Sequence, residues 1–290
     1  MARFLMLMLL ALAGQAPATT PQERTIASAT SPHLAYRGGT PVTVQYARRE
    51  GYANLGGENA ALIARLKQQV QDCAGSNPAA KQVTDWPDHM WFTRHEDYAA
   101  ANRRIEYVMT ATYGVDIRDC TLLPGLVSSA TLASAGRICK IDLLKKIATG
   151  DCERDGHANA PPGPRMTTSM DQLIKQMERN PAMAGVAAQM RAQQVLAAQR
   201  TGEKRVVMGA GCDVWRHKVP TIATPTMFCL SNGGSFIPAI AMEVGGMGGL
   251  VLEEDNPNGW RLHAVDVKID TQVGNAVFAP YAGGGYTFEK

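Results

Sequence analysis

Four residues in one short stretch carry the side chains that metal or acid–base chemistry needs: His89, His95, Glu96 and Asp97. A hydrolytic metal centre takes three such ligands converging on an ion, with one coordination position left open. The spacing works against it. Histidines six residues apart do not share a helical face, and no H-E-x-x-H pair occurs. The stretch therefore reads as a surface loop, and His217 and His263 read as exposed residues of strands. An exported hydrolase using His89, His95 and Asp97 ranks third among the functional readings.

Nucleophilic and nucleotide chemistry find less support. There is no G-x-S-x-G elbow, since Gly234-Ser235 is followed by Phe236-Ile237. Gly209-Ala210-Gly211 has Val214 where a dinucleotide fingerprint needs its third glycine. The glycine run from Gly245 to Gly249 leads into Leu250-Val251-Leu252, which is strand-like, so it reads as a hairpin or lid and not as a phosphate cradle. No catalytic residue, metal or cofactor is expected.

The methionines point to binding. Met166, Met170, Met177, Met183 and Met190 fall within 25 positions. Met170, Leu173, Ile174 and Met177 take helical spacing, and Met183, Val186, Ala187 and Met190 repeat it. Unbranched thioethers repack around variable apolar shapes. Met170, Leu173, Ile174, Met177, Met183, Val186 and Met190, with Met242 from the strand region, would thus line an apolar cavity for a lipid or similar ligand. The rival reading is that they fill space between helices and sheet in a solid core. In that case the protein is a cell-envelope interaction module, working through a surface such as that of Trp86, Trp91 and Tyr98.

Six cysteines, Cys73, Cys120, Cys139, Cys152, Cys212 and Cys229, form no C-x-x-C. An even number in an exported chain argues for disulfides. Cys212–Cys229 closes a short loop within one domain and is expected first. Cys139–Cys152, clipping a strand pair, and Cys73–Cys120 follow, with the swapped pairing of those four left open.

Export itself is read from the first residues. Arg3, an apolar run from Phe4 to Ala13 and the small residues of Ala16-Pro17-Ala18 make a secretory signal at 1–18, with cleavage after Ala13 or Ala16 as alternatives. A span needs about 20 apolar residues, so no transmembrane anchor is expected after cleavage. The chain is 290 residues long with formal charge +3, about +2 without Arg3. That near-balance excludes a nucleic-acid surface. The expected location is periplasmic or secreted.

The elements that would position these residues divide in two. Residues 19–40 are rich in Thr, Ser, Pro and Ala and read as a flexible leader. Val42, Val44 and Tyr46 alternate as a strand. Leu62, Ile63, Leu66, Val70 and Cys73 share a helical face. Glu96 to Arg104 reads as helical, and several strands follow to about residue 155. Pro161-Pro162-Gly163-Pro164 marks a linker over 156–165. A helical pair ending at Gly202 and a run of strands occupy 166–290, clearest where Val265, Val267 and Ile269 alternate with Asp266, Lys268 and Asp270. The fold class expected is α+β: a disulfide-stapled N-terminal α+β domain over 41–155, then a helical pair packed on a curved antiparallel β-sheet.

The order of the last part carries a resemblance. A helical pair, then Gly209-Ala210-Gly211-Cys212, then a closing Val277-Phe278-Ala279-Pro280 resembles the C-terminal half of periplasmic proteins with the LolA/LppX-like fold, especially DUF4412-type members. The resemblance covers about Met166 to Phe288. It implies a curved sheet half wrapped around helices, with an apolar cavity between them.

Overall fold

A computed structural model of the chain describes residues 20–55, 58–101, 103–134, 137–152, 175–188, 199–218, 224–231 and 249–289. Its helices are α1 (Pro21–Ser28), α2 (Pro32–Ala35) and α3 (Glu58–Ser76). Its strands are β1 (Pro41–Leu55), β2 (Phe92–Ala99), β3 (Arg103–Asp116), β4 (Thr121–Ser134), β5 (Arg137–Asp142), β6 (Ile147–Gly150), β7 (Gln199–Val207), β8 (Ala210–His217), β9 (Thr226–Ser231), β10 (Val251–Asp255), β11 (Asn258–Gly274) and β12 (Thr287–Glu289). These twelve strands join in one sheet, in the order β12-β6-β5-β4-β3-β2-β1-β11-β10-β9-β8-β7. Every neighbouring pair is antiparallel except β12 and β6.

The expected α+β class is therefore corrected: the fold is mostly β. The two expected units share one sheet, because β1 pairs with β11 from Pro41↔Gly274 to Leu55↔Asn258. The strand that opens the supposed N-terminal domain is thus an inner strand between β2 and β11. Of the expected helical pair, only the C-terminal bound is corrected among the described residues. Residues 175–178 and 184–188 are helical, with a 3-10 turn at Pro181–Met183 between them, but Gly202 lies inside β7 and ends no helix. Its φ of +86° suits glycine within that exposed strand.

Residues 20–40, expected as a flexible leader, carry α1 and α2 on the sheet. Thr20 and Glu23 make a reciprocal capping box, and Pro21 takes the first helical position, where its missing N–H costs nothing. One turn further, Ile26 is fully buried. A short helix is unstable alone, so this one depends on what it docks against.

Among the described residues three apolar clusters hold the sheet, the smallest of Phe228, Leu230 and Val251 with Trp215 against it. The largest packs Val44, Tyr98, Ile105, Tyr107, Leu132 and Ile141 under Val277, Phe278 and Tyr281, which come from the 3-10 turns Asn275–Phe278 and Pro280–Gly283. The second gathers Val214, Leu250 and Leu252 with Ala47, Ala99 and Ala264. Asp270, at φ +53°, sits near a bulge in the β1–β11 ladder, and the Gln45 side chain clamps it by bonding both its carboxylate and its N–H. Aspartate tolerates that conformation better than most residues.

The disulfides are Cys73–Cys120, Cys139–Cys152 and Cys212–Cys229, the pairings favoured from the sequence. They tie α3 to the β3–β4 turn, β5 to the segment after β6, and β8 to β9. All six cysteines are used, which fits a protein of an oxidising compartment. Among the described residues no helix is long and apolar enough to cross a membrane. Replacing Cys212 and Cys229 by Ala is expected to lower stability by about 3 kcal/mol through loop entropy, measured as a lower urea midpoint at unchanged slope.

Candidate functional site

β2 places Arg94-His95-Glu96-Asp97 between β1 and β3, and alternation sends these four side chains to opposite faces. On one face Arg94, 1% exposed, ends α1. Its Nη1 donates to the carbonyls of Ile26 (2.9 Å), Ala27 (3.1 Å) and Ala29 (2.7 Å), and its Nη2 donates to Ser31 Oγ (2.9 Å). Its Nε donates to Glu96 Oε1 at 2.9 Å. Glu96 Oε2 accepts from the hydroxyls of Tyr46 (2.8 Å) and Tyr98 (3.2 Å). Burial, reinforced by the Glu96 charge, pushes both phenols far up, so they stay protonated and donate.

His33 of α2 completes this side, with its Nδ1 2.8 Å from the Tyr98 hydroxyl. That hydroxyl spends its only proton on Glu96, so Nδ1 carries the hydrogen and donates. Burial lowers the His33 pKa. The sign follows by linkage: the folded state favours the neutral ring, so this contribution is present above about pH 6.5 and fades as pH falls through the lower folded value.

On the other face Asp97, fully buried, takes Arg49 Nη2 on Oδ2 at 2.6 Å and Arg104 Nε on Oδ1 at 2.8 Å. Arg49 also reaches Glu106 (2.9 Å), and Glu254 lies 4.0 Å away. His95 Nδ1 is 2.9 Å from Glu106. Burial pushes the Glu106 carboxyl up, but the His95 hydrogen bond and the charges of His95, Arg49 and Arg104 outweigh it and hold it well below the usual carboxylate range. The ionised carboxylate only accepts, so His95 donates through Nδ1. Its buried Nε2 has no hydrogen-bond partner among the described residues, and its ring stands edge-on to Trp260.

The hydrolase grouping does not assemble. His89 stacks on Tyr52 with ring centroids 3.8 Å apart, while Glu96 lies across β2 from His95 and Asp97. Asp97 is absorbed by two guanidiniums, and no metal-holding group of His, Cys, Asp or Glu exists among the described residues. The loop expected at residues 95–97 is corrected to a buried strand. Glu96 to Arg104, expected helical, is the end of β2, a turn and the start of β3.

Above Arg94 and Glu96 lies a pocket of about 220 Å³ between α2 and the sheet. Pro32, Ala35 and Tyr36 form one wall, and Tyr107, Met109, Leu143 and Leu144 the other. Tyr36 and Tyr107 stack with centroids 6.1 Å apart. The Tyr107 hydroxyl donates to the Val277 carbonyl. A shallower groove of about 340 Å³ crosses β4, β5 and β6 past Thr131, Lys140 and Lys145.

Three of the residues expected to line an apolar cavity are described. Met183 and Val186 are exposed and Met177 is half-buried. Met170, Leu173, Ile174, Met190 and Met242 lie outside the described residues. Of the exposed surface expected around Trp86, Trp91 and Tyr98, both tryptophans are half-buried and Tyr98 is fully buried. The residues that build the observed pocket were missed. The one signal available was the capping pattern Thr20-x-x-Glu23, which announces an ordered N-terminal segment able to roof a pocket.

No family model and no curated protein matches this chain. Two solved structures of PNGF-II, in space groups C2 and P21, align with TM-score 0.37 at 9% and 11% identity. The alignments cover 86% of this chain, which spans about a third of the length of those structures (31% and 32%).

Proposed function

We propose that the chain is an exported, periplasmic or secreted, non-enzymatic protein that holds a small, largely apolar ligand between α2 and the sheet. The observation that carries this reading is the pocket's floor. Every nitrogen of Arg94 and both oxygens of Glu96 already have partners within the protein, so the free surface offered is the apolar wall around Tyr36, Tyr107 and Met109. A cavity of ~150 Å³ takes a benzene, and drug-sized sites begin near ~300 Å³. At about 220 Å³ the site suits a single ring or a short acyl group. A full-length lipid, as the LolA/LppX-like resemblance would imply, needs more room. Burying ~200 Å² of ligand at ~25 cal/mol per Å² yields about 5 kcal/mol before ordering costs, so dissociation constants are about 0.2 mM or weaker.

The test is native mass spectrometry with extraction of the purified protein, followed by titration with indole, p-cresol and hexanoate. Met109→Trp is expected to fill the pocket and weaken binding at least tenfold, with Tm shifted by less than about 3 °C. No co-purifying ligand and no response to any of the three probes would sink the reading. Retention of long-chain lipid would instead favour the carrier role.

A second reading, a cell-envelope interaction module, draws on one specific feature. The far half of the β3–β4 hairpin extends beyond the β4–β5 pairing, which begins at Ser129↔Asp142. There Leu123, Leu126 and Val127 are exposed, and Ile117 is 80% exposed at the tip. Light scattering with and without Val127→Lys would register self-association through that edge.

A further inference from the structure

The floor of the pocket under α2 offers a ligand no net charge, because Arg94 and Glu96 pair with each other. The Tyr107 hydroxyl is spent on the Val277 carbonyl. One hydroxyl of the lining is placed differently. Ser128 on β4 stands opposite Met109 on β3, and Met109 opposite Arg94 on β2, so the three form one row across the pocket's side of the sheet. Alternation along β4 puts Ser128 on the face of Ala130 and Leu132, which belong to the largest core cluster. Its carbonyl accepts the Leu143 N–H at 3.0 Å, which fixes the backbone just before the β4–β5 pairing begins. Ser128 is 9% exposed, and its hydroxyl makes no hydrogen bond with any described residue. Thr30 and Tyr36 also bring hydroxyls to the lining, but Thr30 is exposed and Tyr36 half-buried, within reach of bulk water.

A hydrocarbon filling this pocket would shut the Ser128 hydroxyl away from water and leave it without a partner, which is costly. A ligand hydroxyl removes that cost, since serine both donates and accepts. A carboxylate would give up its hydration for a lining whose single cation, Arg94, is already paired. The walls favour a ring over a chain: Tyr36 and Tyr107 present stacked aromatic surface and Met109 a thioether, both good neighbours for an aromatic edge or face.

We propose that the pocket selects an uncharged, single-ring phenol, and that Ser128 is the residue that reads its hydroxyl; this rests on the reading of the pocket as an apolar ligand site. The probes are p-cresol, toluene, which is the same molecule without the hydroxyl, and benzoate at pH 7. Each is titrated into the full chain and followed on the Met109 methyl signal, assigned by its loss in Met109→Leu. Ser128→Ala is expected to weaken p-cresol about threefold to tenfold and to leave toluene unchanged or slightly tighter. Comparing the two ligands in the two proteins cancels their different costs of leaving water. Ser128→Thr keeps the hydroxyl and is expected to keep the wild-type ratio of the two dissociation constants. Benzoate is expected to bind at least tenfold more weakly than p-cresol. If Ser128→Ala changes both ligands equally, or neither, Ser128 is not the selecting residue, although the pocket stands. Benzoate binding as well as p-cresol in wild-type protein would overturn the uncharged class without need of any variant. If neither p-cresol nor toluene moves the Met109 signal, the pocket reading and this inference fall together.

Discussion

Arg94→Met is expected to destabilise the protein by about 4 kcal/mol, seen as a fall in Tm of roughly 10 °C and a matching loss in urea midpoint. The physical reason is what remains after the change. Glu96 stays in the interior with two tyrosine hydroxyls but without its cation, and the carbonyls of Ile26, Ala27 and Ala29 lose their shared donor. Breaking one side of a buried pair costs more than replacing both, so Arg94→Met combined with Glu96→Leu is expected to recover at least half of the loss. Arg94→Lys is expected to behave nearly as badly as Met, because one ammonium cannot serve a helix end and a carboxylate in a fixed fork. Hydrogen exchange offers an independent check. Amides of residues 22–28 should lose protection in Arg94→Met before those of β1, and equal protection in both would contradict the docking role.

Asp97→Ala is expected to cost a similar amount, about 4 kcal/mol, because it takes away the carboxylate of Arg104 and leaves Arg49 to Glu106 and the more distant Glu254. Asp97→Asn keeps the shape and one acceptor and should fall about midway. Acid sensitivity belongs mainly to the neighbouring Glu106. Its folded pKa is depressed, so its contribution is complete above the unfolded carboxylate value near 4.3 and is lost as pH falls from there toward the lower folded value. Glu106→Gln is expected to flatten the acid limb of a Tm-against-pH curve below about pH 4.5. An unchanged limb would assign the sensitivity to other groups.

How much of this was legible depends on whether a segment shows contrast between its faces. β11 announced itself in part, since Val265 is buried and Val267 half-buried while Lys268 faces out, but Ile269, expected on the inner face, is 47% exposed. β1 was readable from Pro41 by the same logic, and α3 buries Leu66 and Val70 as its spacing requires. β2 was not readable. Arg94, Glu96, His95 and Asp97 put charge on both faces, so no period separates inside from outside, and the partners that make burial tolerable are Tyr46, Arg49 and Glu106 on other strands. A single segment carries no record of that compensation. The α1 region failed for a different reason: its composition resembles a linker, while its order comes from Arg94, some 65 residues away. The pocket inherits both failures, because α2 roofs it and β2 floors it. The disulfides fared better, since loop length and strand adjacency are local properties.

The long β1–β11 ladder has a consequence for how the molecule comes into being. β1 and its partner are separated by about two hundred residues, so this pairing cannot start until nearly the whole polypeptide has emerged, whether from a ribosome or from a translocation channel. Until then β1 waits with one edge unmated and its apolar side chains in water. Such non-local closure is slow, on a scale of milliseconds to seconds, and leaves the half-made sheet open to pairing with other chains. Moving β11 ahead of β1 by circular permutation should quicken assembly without altering the final molecule.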